Sequence, residues 1–191
     1  MSIDFAAQRA AMVEGQVRVA DVTDYAIQDA MRAVPRESLL PADKAYLAYA
    51  DVEVPYAPGR WLLKPRDVAK LLQALKPRTG ERALAIAAPY AAAVLQAMGL
   101  VVTRLDDGDL TQPAGAAYDL VVCEGAVAEP PAGWLAVLAP EGGRLGVVVK
   151  EGPVGRAVLY IRTPHDVGRR DVFDSSQPFM AGFEPKQAFA F

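Results

Sequence analysis

The stretch from Gly80 to Asp106 limits the possible folds more than any other part of the chain. It reads Gly80-Glu81-Arg82-Ala83-Leu84-Ala85-Ile86-Ala87-Ala88-Pro89-Tyr90, continues in alanines to Met98-Gly99, and closes on Leu100-Val101-Val102-Thr103-Arg104-Leu105-Asp106. This is a short apolar strand, a tight turn, a helix, a second apolar strand and an acidic residue, the order of a nucleotide-binding βαβ unit. Proline at the first turn of the helix and glycine just past its end mark where it starts and stops. Glycine is missing from the strand-to-helix turn, where a nucleotide cradle needs positive φ and close approach of the backbone to a ligand. Ala87 and Ala88 put methyl groups in that space and Pro89 removes a donor.

Further sheet follows. Leu120 to Cys123 is a continuous apolar run, the mark of a central parallel strand, and Arg144 to Lys150 and Ala157 to Arg162 read as two more strands. Between them, Pro130-Pro131 opens a short helix through Trp134 and Leu138. From Asp106 the chain reaches Tyr118-Asp119 almost directly. That path leaves no length for a further helix and strand. That shortening leaves Leu100–Leu105 at the sheet edge, and an apolar edge invites a partner chain. A homodimer or a docked partner protein at residues 100–105 is therefore expected. The chain closes on Phe189-Ala190-Phe191, a pair of aromatics expected to be pinned into the sheet.

The N-terminal third is helical: Asp4 to about Val19, a helix capped by Thr23 and ended by Pro35, a short helix after Pro41, and a strong helix from Pro65. Val68, Leu71, Leu72 and Leu75 recur at helical spacing and predict a core-facing stripe. Pro55 to Pro65 holds three prolines and Gly59 and is expected to be a loop joining a helical subdomain, 1–78, to a Rossmann-like domain, 79–191.

Composition narrows the function. The chain has 191 residues, a formal net charge of −3, 52% hydrophobic residues, one cysteine and one histidine. Such a balance argues against a general nucleic-acid binder. Cys123 excludes an internal disulfide and makes a reducing, cytoplasmic setting the expectation. The N-terminus lacks the basic and apolar segments of a signal peptide, and no apolar run reaches the roughly 18 residues of a membrane span. No metal-ligand spacing, phosphate loop or nucleophile elbow is present, and no catalytic residue stands out.

Met12-Val13-Glu14, Gln16-Val17-Arg18, Met31-Arg32-Ala33-Val34-Pro35-Arg36-Glu37, Leu40-Pro41, Ala48-Tyr49-Ala50-Asp51, Gly80-Glu81-Arg82, Tyr118-Asp119 and Gly142-Gly143-Arg144-Leu145 occur in the order seen in protein-L-isoaspartate O-methyltransferases. The chain resembles a divergent bacterial branch of that family over most of its length. The resemblance implies an α/β class I methyltransferase fold, S-adenosylmethionine as cofactor, and methylation of the α-carboxyl of isoaspartyl residues in damaged proteins. It also places Ala87 and Tyr90 at the cofactor turn, with Ala85 where the family has an acidic residue and Ala87 where it has its first glycine. Asp106 stands where such folds hold ribose hydroxyls. Gly59 and Pro65 frame the substrate loop of Arg60, Trp61, Leu63 and Lys64, in which Leu63 replaces a serine and Trp61 a threonine. Leucine donates no hydrogen bond to a carboxylate. Two readings follow. The favoured one is a degenerate, non-catalytic relative kept as a binding or oligomerisation module. The alternative is an active S-adenosylmethionine-dependent carboxyl methyltransferase with an unusual pocket.

Overall fold

The computed structural model describes residues 3–115 and 117–185. The apolar runs assemble into one six-stranded sheet. In chain order its strands are β3 (Arg82–Ile86), β4 (Val101–Leu105), β5 (Leu120–Val127), β6 (Arg144–Lys150), β7 (Gly155–Arg162) and β8 (Val167–Ser175). They lie in the spatial order β4-β3-β5-β6-β7-β8. The first four are mutually parallel; β7 and β8 add antiparallel strands on one side. The strand order reverses between β3 and β5, the switch point of a doubly wound sheet.

Helices cover both faces because the central strands are apolar on both. Ala83 and Ala85 of β3 and Val122 of β5 join a core with α2 (Tyr25–Ala33), α3 (Pro65–Leu75) and α4 (Pro89–Ala97). Leu84, Ile86, Val121 and Cys123 point the other way, into a core closed by Trp134 of α5 (Ala132–Ala136). The indole N–H of Trp134 donates to Leu110 O at 2.6 Å, tying the β4–β5 connection to this face. The four apolar residues of the α3 stripe are all buried, and Leu71 and Leu75 lie against Gly146 of β6 so closely that a Cβ there would meet them at 2.8–3.1 Å.

The N-terminal helix departs from the sequence expectation. α1 (Phe5–Met12) starts at Asp4, whose carboxylate accepts from Ala7 N–H. It passes into a π turn at Val13–Val17 and a 3₁₀ turn at Arg18–Ala20 instead of staying regular. The cap of α2 is Asp24, not Thr23: its Oδ1 takes the N–H groups of Ala26 and Ile27. Asp24 sits one residue nearer the first helical N–H groups, where a carboxylate also meets the positive helix end. Two 3₁₀ turns, Arg36–Leu39 and Ala42–Leu47, replace the expected helix after Pro41. The proline-rich stretch expected as a loop is a hairpin, β1 (Val54–Ala57) with β2 (Arg60–Leu62), turning at Pro58-Gly59. Gly59 makes the turn with φ +64°, and its position is packed as well: a Cβ would meet the Cβ of Ala181 at 2.3 Å. Pro55 is tolerated because a two-stranded ribbon is all edge.

Between β4 and β5 the described residues form neither helix nor strand, and β4 is a sheet edge. The expected docking of Phe189 and Phe191 lies outside the described residues. Among those residues, no helix is long and apolar enough to cross a membrane.

Candidate functional site

The parallel strands end at the β3–α4 turn, where a ligand of a doubly wound sheet would sit. Ala87 has φ +44°, so the chain keeps a left-handed backbone there without glycine. Its N–H donates to Leu105 O at 2.9 Å, and its carbonyl accepts from the Tyr56 hydroxyl at 3.4 Å. Every residue from Ala85 to Tyr90 is buried.

A polar cluster made by the chain itself fills the space beyond that turn. The first N–H groups of α4 would otherwise lack partners, as in any helix. Glu124, from β5, supplies one: its Oε1 accepts from Ala91 N–H at 2.6 Å, and its Oε2 faces Leu63 N–H at 3.5 Å. Glu124 is 1% exposed. Burial pushes its carboxyl up to about 7, held back from rising further by the Ala91 N–H, the Arg36 charge, and the Leu63 and Tyr90 N–H groups.

Arg36 is wholly buried beneath Tyr90, its guanidinium carbon 4.5 Å from the ring centroid. Its Nε donates to Ala48 O at 2.7 Å and its Nη2 to Leu63 O. Burial lowers its pKa, and the neighbouring Tyr90, Glu124 and Tyr49 oppose that. Tyr90 is equally buried, and its hydroxyl is pushed up by desolvation. Arg36 Nη1 and Tyr90 Oη are buried with no hydrogen-bond partner among the described residues. Tyr56 closes the near side; burial, and after it the charges of Glu124 and Asp106, raise its pKa.

Of the residues marked from sequence, Ala87, Tyr90 and Leu63 come together in this buried cluster. Leu63 is 0% exposed and presents only its backbone, giving N–H to Glu124 and O to Arg36. Asp106 lies outside, ion-paired with Arg104 at 2.8 Å. Lys64 faces Glu53 at 3.7 Å, and Arg60 donates back to Gly59 O at 3.3 Å. Trp61 is half-buried on β2, opposite Pro55. Glu124 and Arg36 were not singled out from sequence. Glu124 carried the clearer signal, an acid in a strand of eight buried residues. Arg36 lay within the most family-specific motif, but no pattern gave it a role.

The donor set does not fit a bound S-adenosylmethionine. The Ala91 N–H is taken by Glu124, the Ala87 N–H by Leu105, and Ala87 and Tyr90 are both buried, the Tyr90 ring against Arg36. Two cavities lie away from this cluster. A groove of ≈ 450 Å³ runs between the π turn and α3 beside Gln16, Arg66, Asp67 and Lys70. A larger one, ≈ 680 Å³, is lined by residues including Thr111, Glu129, Pro131, Phe183 and Glu184. Neither is lined by a residue of Ala85–Tyr90. Among the described residues, no group of three His, Cys, Asp or Glu side chains could hold a metal ion.

Comparison with known proteins gives a consistent picture. No protein-family model matches the chain. It is 32% identical to a protein-L-isoaspartate O-methyltransferase of Methylorubrum extorquens over 209 aligned positions, covering 95% of this chain and 89% of that one. It is 34% identical to the protein of that name from Methylorubrum populi, over 80% of this chain and 84% of the relative. A third relative, protein-L-isoaspartate O-methyltransferase 1 of Rhodopseudomonas palustris, is 44% identical over 59% of this chain and 47% of its own length. Among solved structures, a protein-L-isoaspartate O-methyltransferase superposes with a TM-score of 0.71 at 18% identity, over 91% of this chain and 66% of that one. A second, a putative protein-L-isoaspartate O-methyltransferase from Plasmodium falciparum in complex with S-adenosyl-L-homocysteine, gives a TM-score of 0.71 at 16% identity, over 90% and 97%. The fold is that of the class I methyltransferases.

Proposed function

The chain belongs to the protein-L-isoaspartate O-methyltransferase family, and we propose that it is a member that keeps the fold but not the transfer chemistry, acting as a cytoplasmic binding or oligomerisation module. One observation carries this reading. The Glu124 carboxylate caps α4 from inside, at the helix end that would otherwise be free to receive a ligand. A carboxylate on the protein's own strand is present at effectively unlimited local concentration and costs no association entropy, so a diffusing ligand competes poorly for the same N–H groups. Ala87 and Tyr90 are themselves fully buried, so the turn presents neither residue to solvent. In the substrate loop, Leu63 offers a carboxylate substrate no side-chain donor.

Thermal unfolding in the presence of cofactor tests the proposal. A ligand at one hundred times its Kd stabilises by about 2.7 kcal/mol, and for a chain of this size each kcal/mol moves Tm by about 2–4 °C. The expected result is no shift with millimolar S-adenosylmethionine or S-adenosylhomocysteine. A shift of several degrees with either overturns the reading.

One observation supports a second reading, an active S-adenosylmethionine-dependent carboxyl methyltransferase acting on isoaspartyl residues of damaged proteins: similarity to relatives of that name runs over 95% of the chain. Transfer of a labelled methyl group from S-adenosylmethionine to an isoaspartyl peptide would establish it.

A further inference from the structure

The geometry points to a second copy of this chain as the occupant of the β4 edge, paired antiparallel about a two-fold axis at Thr103. This inference is independent of whether a cofactor binds. β4 ends the sheet, and its pairing with β3 runs unbroken from Val101 to Leu105. Val101 N–H donates to Glu81 O, and Leu105 O accepts from Ala87 N–H, both at 2.9 Å. Alternation along a strand then directs the backbone groups of residues 101, 103 and 105 toward β3, and those of Val102 and Arg104 outward. The outward groups are symmetric about Thr103.

An antiparallel second copy centred there satisfies them all. Val102 and the partner's Arg104 exchange both backbone hydrogen bonds, and the symmetric pair does the same. Thr103 meets the partner's Thr103 as a close, non-hydrogen-bonded pair. Val101, 63% exposed in the single chain, meets the partner's Leu105.

Charge selects this direction and this occupant. The turn beside the start of β4 is held there by Gly80 N–H on Gly99 O and by Thr79 Oγ1 on Met98 O, each at 3.0 Å. It carries the exposed Arg78. The end of β4 leads into the exposed Asp107 and Asp109, while Arg104 is neutralised by Asp106. The strand is therefore basic at its head and acidic at its tail. A two-fold axis brings each head to the other copy's tail, giving two attractive contacts at once; a parallel copy would set like charges together.

The opposite edge shows what a guarded strand looks like. β8 carries Arg169, Arg170, Asp171 and Asp174, and its register with β7 shifts between Ala157 and Val158. Charge and irregularity of this kind block edge pairing. β4 has neither lysine, proline nor bulge. The relative from Methylorubrum extorquens aligns over 209 positions, more than the 191 this chain has, so it carries residues for which this chain has no counterpart.

Sedimentation and light scattering on the full chain over a wide concentration range test the inference, with two variants at the axis. The wild type is expected to reach a dimer. Thr103→Lys sets two like charges directly opposite each other on an exposed position and should raise the dimer Kd at least roughly tenfold, with monomer Tm and circular dichroism unchanged. Thr103→Cys should form a disulfide-linked dimer on mild oxidation, because a non-hydrogen-bonded pair brings the two Cα atoms to about 4.5 Å. The only native thiol, Cys123, is buried and does not compete. Val101→Cys should not cross-link, since this register keeps the two copies of that residue apart. A wild type that stays monomeric throughout overturns the inference. So does a dimer indifferent to Thr103→Lys, or cross-linking at Val101→Cys without cross-linking at Thr103→Cys.

Discussion

The β3–α4 turn and the β4 edge are two ends of one βαβ unit, and they leave their backbone groups in opposite settings. The turn lies inside the molecule. If no ligand reaches it, its N–H groups and its space still have to be filled, because an unpartnered buried amide costs about 1–3 kcal/mol. Glu124, Tyr90 and Arg36 fill it. The edge faces water. A strand missing from its outer side leaves the N–H groups of Val102 and Arg104 solvated at little cost to the single chain, so nothing inside has changed to cover them. On the proposed reading, a buried site without its ligand is filled as core, whereas an uncovered strand stays a surface.

The sharpest way to break that contrast is to remove a polar side chain from each place. Arg36→Ala takes away the guanidinium beneath Tyr90, strands the carbonyls of Ala48 and Leu63, and removes the positive charge that opposes the rise of the Glu124 carboxyl. Urea unfolding should report a loss of about 3–5 kcal/mol. Arg104→Ala at the edge should cost under about 0.5 kcal/mol in dilute protein, because its pair with Asp106 is solvent-exposed. Equal losses would mean that the turn is no more a core than the edge.

Next in size is the pH response of Glu124. Its folded pKa is about 7 against an ordinary value of 4.5, so the folded state holds the proton more tightly than the unfolded chain does. Stability from this group is complete below pH 4.5 and is lost as pH rises through 7. The difference is on the order of 3 kcal/mol between pH 4.5 and pH 8. Glu124→Gln keeps an acceptor for Ala91 N–H and cannot ionise. It should flatten this part of the profile and exceed the wild type in stability at pH 8. Parallel slopes for the two proteins in urea titrations at several pH values would show that Glu124 is not buried as described.

Tyr90→Phe probes a smaller effect in the same cluster. The hydroxyl is buried without a partner among the described residues, so removing it should change stability by less than about 1 kcal/mol, with a gain as the favoured sign. A loss well beyond that would place a bound water or other polar group between Tyr90 Oη and Arg36 Nη1.

The sheet was largely legible in the sequence because its strands are apolar on both faces and bounded by glycine and proline. The edge position of β4 followed from the short path between Asp106 and Tyr118, which leaves no length for a covering strand. The hairpin at Val54–Leu62 was not legible. Three prolines argue for a loop, and only an isolated ribbon, where Pro55 need not donate, admits them. The π turn at Val13–Val17 was equally hidden, since it goes with tertiary contacts: Met12, Val13 and Val17 are buried and Gln16 Nε2 donates to Tyr49 O. At the candidate site, the lost glycines could be read directly, but their replacement could not. Glu124 and Arg36 are 88 positions apart, and only the fold shows that both converge on Tyr90 and Leu63.

The smallest effect asks whether the turn was closed by its alanines or by the side chains above it. Ala87 holds φ +44°, a region that costs a residue with a Cβ roughly 1–2 kcal/mol. Ala87→Gly relieves that strain but gives the unfolded chain more freedom, a penalty of about 0.5–1 kcal/mol. The net expectation is a gain of no more than about 1 kcal/mol, seen as a small rise in Tm. Glycine restores only the backbone freedom of a cofactor turn. It leaves Glu124 on Ala91 N–H and the Tyr90 ring over Arg36, so S-adenosylmethionine should still produce no thermal shift. If Ala87→Gly alone restores a shift of several degrees, one methyl group was the barrier, and the polar cluster is a lid that a ligand can displace.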